Sequence, residues 1–462
     1  MGNAVDYDKD RISFLRRHHR EYGDVFSFDD RVVFTIDPRL THQVLTATNR
    51  DYVTELAPFA GSSALLGAGE MIDPWMGARR VVRPALADDA VAGMDGRIVA
   101  ILDAVLDATA GRPVDVLPVM LDFAGQVVAD LCFGEDAAGI PELLAANHAA
   151  LLPFENAGFQ LPAWVPSPRN RRFFRVHRRT VETLTRLVAA RRAEPARRRH
   201  RDLLDVLLGT PYDPRPATTE DPAGPGSSTV SDKSVVTTLW SILIGGHGVP
   251  AAALTSMVRE LAIRPRLAAA LAAEAGASVG AECPADRLPP AGAEGLHARR
   301  PLTEAGYPHA RLPLAEAVVK EALRLTPPAW MMTRVARTDV ALGEWRLGPG
   351  DEVLITPYLI HRDPRWWSHP DEFDPSRWDT VRPAPGTYIP FGSGPRYCPG
   401  SAAAMRQLTL ATSRIAQRFH VHAPNADAAE PEFCGRLAPS GLRAAFLPVD
   451  LRADFRPTGL GS

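Results

Sequence analysis

The chain has 462 residues, enough for one large domain or roughly two to four ordinary ones, and its 45% hydrophobic and 23% charged content is that of a globular protein. Its 52 Lys and Arg nearly balance 54 Asp and Glu, so a formal net charge of -2 gives no overall attraction to nucleic acid or anionic membrane. Four cysteines are too few for a disulfide framework and favour a reducing compartment. We therefore expect a cytoplasmic globular protein with no nucleic-acid partner.

Two segments bear on whether the chain meets a membrane. Residues 1–24 lack the apolar core of a signal peptide, so no membrane anchor is expected. In residues 234–258 the only titratable side chain is His247, and this length satisfies the rule for a membrane span. Three glycines and a proline interrupt the middle of that stretch, so a long helix buried in a large helical core is the better interpretation.

The hydrophobic pattern changes along the chain. Apolar residues recur mostly at helical spacing from Ile98 to Val206, which predicts helices. Segments rich in Pro and Gly, at 208–230 and from Val279, are predicted to be exposed loops. After Arg324, short apolar runs separated by Gly turns predict a small antiparallel sheet. The sequence thus predicts a mainly α protein with small antiparallel β-sheets.

The sharpest feature is a glycine-rich turn that presents one cysteine, Cys398, immediately before an apolar helix. Glycines let the backbone approach a flat, bulky group, and backbone N–H groups near a helix N-terminus stabilise a thiolate. A single thiolate presented in this way suits an axial ligand to haem iron, where it favours O–O cleavage. The turn therefore predicts a haem site with Cys398 as its metal ligand.

The spacing of Phe391, Gly394, Arg396, Cys398 and Gly400 resembles the haem-binding signature of the cytochrome P450 family. The resemblance extends over residues 22–449. It implies the cytochrome P450 fold in one large domain spanning 1–462, with a helix-rich core at 70–325 and a β-rich region containing the cysteine loop at 326–450. It also implies haem b, ligated through iron by the thiolate, and monooxygenase activity.

The resemblance assigns further residues around the cofactor. In the family, a Glu and an Arg on one helix form a buried network with a later Arg, and the matching residues here are Glu321, Arg324 and Arg377. Such a buried trio must be fully hydrogen-bonded, so its implied role is structural. The implied cofactor-binding residues, including propionate ligands, are Trp75, Arg79, Arg334, Phe391, Gly392, Arg396, Cys398 and Gly400.

The central helix departs from the family pattern. Typical members carry an acid followed by Thr, which deliver protons for cleavage of the O–O bond. Gly248 and Val249 stand at these positions and offer neither group. Pro250 lacks an N–H, so we expect a kink and a carbonyl at Gly246 without its helical donor. The neighbouring His247 is expected to point away from the iron.

Three explanations of this departure remain open. The substrate's own hydroxyl or a held water could relay protons, so that monooxygenation or an oxidative cyclisation survives. Peroxide could be the oxidant, or the enzyme could be a redox-neutral isomerase or cyclase. The first is preferred, because family members that use peroxide place an Arg beside the Pro, where this chain has Val249. A non-catalytic haem-binding protein is the alternative from a different class.

Family positions also suggest the substrate and partners. The predicted pocket lining is mainly apolar and comprises Leu65, Leu66, Gly245, Met331, Met332 and Leu437, which favours a hydrophobic small-molecule secondary metabolite. No flavin or iron–sulfur module is evident, so electrons should come from a separate ferredoxin or flavodoxin and its reductase. A basic patch for that carrier is predicted at Arg79, Arg80, Arg83 and Arg406, and a monomer is expected.

Overall fold

The computed structural model describes residues 2–54, 72–87, 91–109, 111–155, 165–193, 202–209, 231–280 and 312–449. The predicted pocket residues Leu65 and Leu66 lie outside the described residues. So do most of the two predicted loops, at 210–230 and 281–311.

Helices account for most of the described chain, as the periodicity predicts. The helices are α1 (Gly2–Lys9), α2 (Arg11–Tyr22), α3 (Pro38–Thr46), α4 (Ile72–Ala85), α5 (Asp95–Asp107), α6 (Val116–Phe133), α7 (Ile140–Glu155), α8 (Pro168–Ala193), α9 (Leu203–Gly209), α10 (Asp232–Ile263), α11 (Pro265–Gly280), α12 (Pro313–Leu325), α13 (Pro357–Ile360), α14 (Arg377–Thr380) and α15 (Ser401–Arg418).

The strands are short and lie mainly in the C-terminal part of the chain. They are β1 (Val25–Ser27), β2 (Val32–Thr35), β3 (Tyr52–Val53), β4 (Val114–Asp115), β5 (Met332–Ala336), β6 (Val340–Leu342), β7 (Trp345–Leu347), β8 (Glu352–Ile355), β9 (Phe419–His422), β10 (Pro431–Cys434), β11 (Arg436–Pro439) and β12 (Arg443–Pro448).

The sheets confirm the predicted class, with one difference in pairing. A five-stranded sheet has the order β1-β2-β8-β5-β3, and a three-stranded sheet has the order β4-β12-β9. Two hairpins, β6-β7 and β10-β11, are antiparallel. The predicted sheet after Arg324 is not wholly antiparallel, because β8 pairs in parallel with β2 from the N-terminal region. Parallel pairing of this kind joins strands distant in sequence, so local hydrophobic runs do not reveal it.

Helix α10 runs through the core, as its apolar composition predicts. Its N-terminus is capped by Ser231, whose side chain accepts a hydrogen bond from the Ser234 N–H at 3.2 Å. Beyond that, most of its residues are buried, among them Leu239, Leu254 and Val258. Its apolar surface packs with α5, α6, α12 and α15 into one hydrophobic cluster. The helix continues through Pro250 to Ile263.

Two segments are long and apolar enough to cross a membrane by length and composition alone: Val116–Asp136 and Asp232–Ile263. In their most apolar stretches, 56% and 72% of the residues are buried inside the protein. Both segments therefore serve as core helices of the described fold.

Candidate haem-thiolate site

The cysteine loop, residues 391–400, connects the β-rich region to α15. The Cys398 N–H donates to the Phe391 carbonyl at 2.9 Å, which closes the loop on itself. A short 3-10 turn, Gly394–Arg396, lies inside it, and α15 begins at Ser401, directly after Gly400. The cysteine is therefore held just before the N-terminus of a helix, on the side where the helix dipole favours a negative charge.

Two glycines in this loop are required by its geometry. Gly392 and Gly394 have φ of +73° and +68°, in the left-handed region that side chains disfavour. A Cβ at Gly394 would lie 2.2 Å from the Leu45 carbonyl oxygen at the end of α3. The loop backbone thus packs directly on α3, and a side chain at 394 would push it away.

Opposing effects act on the pKa of the Cys398 thiol. Burial raises its pKa, whereas the Gly400 N–H and the charge of Arg79 lower it. Arg79, on α4, is half-buried, and burial lowers its pKa while the nearby Cys398 raises it. Burial is the largest of these effects, so the pKa of the Cys398 thiol is raised overall, and the charge of Arg79 offsets part of that rise. Burial also raises the pKa of Cys132, with two aspartates adding to the effect.

Two more arginines converge beside the loop. Arg334, on β5, is only 6% exposed; its Nε donates to Thr48 Oγ1 at 2.9 Å and its Nη1 to the Thr333 carbonyl at 2.8 Å. Burial and then the charge of Arg396 lower the pKa of Arg334 to about 10. Arg396 donates from Nε to Asn49 Oδ1 at 3.0 Å. Two neighbouring guanidinium groups, one of them buried, form a site for anionic groups.

These features fit a haem. The loop offers one thiolate ligand, the glycines allow close approach of the backbone, and the arginines match two carboxylates. Within the described ranges, no cluster of three His, Cys, Asp or Glu side chains could hold a metal ion by itself. Of the other predicted contacts, Trp75 lies in α4, and Gly400 has the Leu86 side chain 3.8 Å from its ideal Cβ position.

The structure brings the predicted buried trio together. Arg324 donates to both carboxylate oxygens of Glu321, at 2.8 and 3.0 Å, and both side chains are fully buried. Arg377 lies 3.3 Å from the same carboxylate. Trp378 Nε1 completes the set by donating to Glu321 at 3.0 Å. Every oxygen of the buried carboxylate is therefore paired, as a buried ion network requires.

His361, which the sequence analysis did not assign to the site, links this network to the cysteine loop. Its Nε2 accepts from the Ile389 N–H at 2.8 Å, and its Nδ1 lies 3.2 Å from the Arg324 carbonyl. Burial lowers the pKa of His361 to about 3, so the ring stays neutral and its two nitrogens keep opposite roles. Only the tertiary structure brings these segments together.

The central-helix stretch, residues 245–250 of α10, has one open face. Gly245 is exposed and Val249 is 36% exposed, although both lie within a helix whose neighbours are mostly buried. Residues four apart share a helix face, so the two positions line one opening. A Cβ at Gly246 would lie 2.7 Å from Val128 Cγ2, so this glycine allows α10 to approach α6.

The side chain of His247 points to the opposite side. It is 4% exposed and packs against Gly125 of α6, and its ring lies 5.7 Å from that of His148 on α7. Burial, then the charges of His148 and Arg436, lower the pKa of His247 to about 4. The ring is neutral at neutral pH and turned away from the face that Val249 occupies.

The remaining predicted pocket residues have mixed positions. Met331 and Met332 are half-buried, and the Met332 sulfur lies 3.8 Å from the ideal Cβ position of Gly392 in the cysteine loop. Leu437 is fully buried in the hydrophobic cluster around β5 and β8, so its side chain does not line an open cavity. Strand alternation explains the difference, because Arg436, one residue earlier in β11, turns towards α10 instead.

The predicted basic patch is smaller than expected. Arg406 forms a partly buried ion pair with Asp95, so its charge is already matched. Arg79 is half-buried beside Cys398, whereas Arg80 and Arg83 are exposed on α4.

Comparisons with known proteins agree with this geometry. Residues 1–442 match the family described as cytochrome P450. The chain is 32% identical over 402 residues to cyclooctatin synthase of Streptomyces melanosporofaciens, covering 83% of this chain and 79% of that protein. It is 26% identical over 355 residues to cyclooctat-9-en-7-ol 5-monooxygenase of the same organism, covering 74% and 70%.

Among solved structures, retinoic acid bound cyanobacterial CYP120A1 superposes with a TM-score of 0.76, covering 95% of each chain at 18% identity. The mainly helical fold and the cysteine site define a haem-thiolate protein. The chain belongs to the cytochrome P450 family. It is an oxidoreductase of a monooxygenase family, and its cofactor is a haem whose iron is held by a cysteine thiolate.

Proposed function

We propose that this protein is a monooxygenase that oxidises a hydrophobic small-molecule secondary metabolite, as a cytoplasmic monomer supplied with electrons by a separate ferredoxin or flavodoxin and its reductase. The observation that carries the proposal is Cys398, held by the closed loop before α15 and close to the charge of Arg79. The relatives named as a cyclooctatin synthase and a monooxygenase support the reaction class and a secondary-metabolite substrate.

Each residue of the site has a part in this proposal. Cys398 ligates the iron, while Arg79, Arg334 and Arg396 bind the propionates, and Trp75 of α4 contributes to the same cofactor site. When bound, the haem supplies the oxidising chemistry, and the electron-rich thiolate favours O–O cleavage. Glu321 and its two arginines hold the segment before the loop in place, because both arginines donate to the same buried carboxylate.

Protons reach the reaction without a side-chain acid at 248 or a hydroxyl at 249. His247 does not replace them, because its ring is buried against α6 and is neutral at neutral pH. A water or a substrate hydroxyl at the open face formed by Gly245 and Val249 therefore delivers them.

Peroxide-driven oxidation is the second candidate, and one observation favours it. Family members that use peroxide place an Arg beside the Pro, and this chain has Val249 there. The guanidinium of Arg436 nevertheless reaches Gly248 from the β10-β11 hairpin. In this chain the cation near the central-helix stretch is therefore supplied by β11 and not by the residue next to Pro250.

The two candidates separate in a turnover assay on a panel of hydrophobic probes. One arm contains hydrogen peroxide alone, and the other contains NADPH, dioxygen and surrogate redox proteins. The proposal expects product mainly in the electron-fed arm. Product with peroxide alone at the same or a higher rate would replace it by peroxygenase activity. Spectral binding with no product in either arm would favour a redox-neutral enzyme or a non-catalytic haem protein.

A further inference from the structure

A groove of about 380 Å³ lies between α8 and the N-terminal part of α10. Val181, Val236 and Trp240 give it an apolar wall, and all three belong to the hydrophobic packing that α6 and α9 share. Asp232 and Lys233, both exposed, lie at the end where α10 begins. A groove of this volume is large enough for a small organic molecule.

The two aromatic side chains of the groove have buried ring nitrogens with no hydrogen-bond partner in the described part of the chain. These atoms are Nε1 of Trp240 and Nδ1 of His177. The two rings are perpendicular, with centroids 5.3 Å apart, so they line the same part of the groove. A buried polar atom without a partner costs free energy, so a ligand that pairs with these nitrogens gains more than apolar contact alone provides.

The chemistry of the two nitrogens selects the polar group of such a ligand. The indole N–H of Trp240 can only donate a hydrogen bond. Burial lowers the pKa of His177, so its ring is neutral and Nδ1 donates or accepts according to the tautomer. A hydroxyl group accepts from the indole and pairs with either tautomer, whereas an ether or a carbonyl oxygen pairs with only one. The apolar wall disfavours a charged ligand.

This groove lies on a different side of α10 from the open face formed by Gly245 and Val249. Val249 follows Trp240 by nine residues. At roughly 100° and 1.5 Å per residue, Val249 is turned by about 180° around the helix and displaced by about 14 Å along it. A molecule in the groove therefore binds apart from the open face.

We propose that the groove between α8 and α10 is a second small-molecule site, which binds neutral aromatic alcohols of the phenol class. The ring system of the ligand packs on Val181 and Val236, and its hydroxyl group pairs with Trp240 Nε1 and His177 Nδ1. This site is additional to the proposed function and does not depend on the reaction at the haem.

The test is a calorimetric titration of the haem-loaded, full-length protein with 2-naphthol and with 2-methylnaphthalene, which lacks the hydroxyl group. Clotrimazole is present at saturation, because its imidazole ligates the haem iron and its bulk keeps the probes out of the haem pocket. We expect one molecule of 2-naphthol to bind per protein, at least tenfold more tightly than 2-methylnaphthalene. The absorption spectrum of the azole-bound haem should stay unchanged during the titration.

Three variants make the test specific to the groove. Trp240→Phe keeps an aromatic ring but removes the N–H donor, and His177→Phe removes the second partner, so each should lower the preference for 2-naphthol several-fold. Because neither nitrogen has a partner in the described chain, both variants should remain folded, which thermal unfolding checks. Trp366, which is 45% exposed, provides the matched control, and Trp366→Phe should bind both probes like the wild type.

Three results would overturn the proposal. They are the absence of 2-naphthol binding in the azole-saturated wild type, equal affinities for the two probes, and an undiminished preference for 2-naphthol in either Trp240→Phe or His177→Phe. The titration needs neither electrons nor turnover, so its outcome is independent of whether the proposed monooxygenase activity is found.

Discussion

The cysteine loop and the central-helix stretch are both glycine-rich, but their glycines serve different ends. In the loop, Gly392 and Gly394 give the backbone a left-handed conformation, and Gly394 lets it approach the end of α3. In α10, Gly246 allows contact with α6, and Gly248 makes room for the side chain of Arg436. The loop glycines thus shape the cofactor site, whereas the glycines of α10 make room for Val128 and Arg436 of this chain.

We expect the largest loss of stability from substitutions in the buried network of Glu321, Arg324 and Arg377, which holds the segment before the loop. Glu321→Gln removes the charge between two buried arginines, so we expect a loss of about 3 kcal/mol or more in the free energy of unfolding. Urea denaturation measures this. Glu316→Gln on the same helix breaks only an exposed pair with Lys320 and should cost less than about 1 kcal/mol. Equal losses in the two variants would show that the buried network contributes no more to stability than an exposed ion pair does.

The histidines behind the central-helix stretch should make stability depend on pH. His247 and His148 have folded pKa values of about 4, below the ordinary value near 6.5. The unfolded chain therefore binds more protons between pH 4 and 6.5, so stability is full above pH 6.5 and falls as the pH drops towards 4.

Replacing one of these histidines should flatten that dependence. His247→Asn should reduce the loss between pH 6.5 and 4 by about 2 kcal/mol, measured by denaturation at each pH. His369→Asn, at an exposed position, controls for the loss of a histidine as such. A slope unchanged in His247→Asn would show that this ring is accessible to protons in the folded state.

The contact between α10 and α6 gives a smaller effect. A methyl group at 246 would meet Val128 at 2.7 Å, so Gly246→Ala should destabilise the protein by about 1 to 3 kcal/mol. Gly276→Ala in α11 meets nothing within 4 Å and should instead stabilise it by about 0.5 to 1 kcal/mol. Thermal unfolding compares the two, and adding Val128→Ala should restore part of the loss. An unchanged stability in Gly246→Ala would mean that α10 and α6 can move apart without destabilising the protein.

The smallest effect concerns electron supply. Arg83 is exposed on α4, near the face that carries Cys398, so Arg83→Glu should slow reduction by an acidic carrier several-fold, and less at high salt. Arg346→Glu is the control for an exposed arginine elsewhere. Stopped-flow reduction rates that are equal in the two variants at low salt would place the docking surface away from α4.

The two regions also differ in how far the sequence predicted them. The spacing around Cys398 identified the loop, because a local motif carries most of its geometry, and the pattern of apolar residues predicted α10 as a buried helix. Arg436 escaped prediction because its position depends on how the β10-β11 hairpin docks on a helix far away in sequence. The same one-residue alternation turns the side chain of Leu437 into the hydrophobic cluster around β5 and β8. His361 was missed since its partners, Arg324 and Ile389, meet only in the folded chain.

The central claim is that Cys398 provides the thiolate for the haem iron. The most direct test is the absorption spectrum of the reduced carbon monoxide complex for wild type, Cys398→Ser and Cys132→Ala. We expect the red-shifted Soret band of a thiolate-ligated haem in wild type and in Cys132→Ala, whose thiol is buried away from the loop, and its complete loss in Cys398→Ser. A red-shifted band that persists in Cys398→Ser would contradict the account.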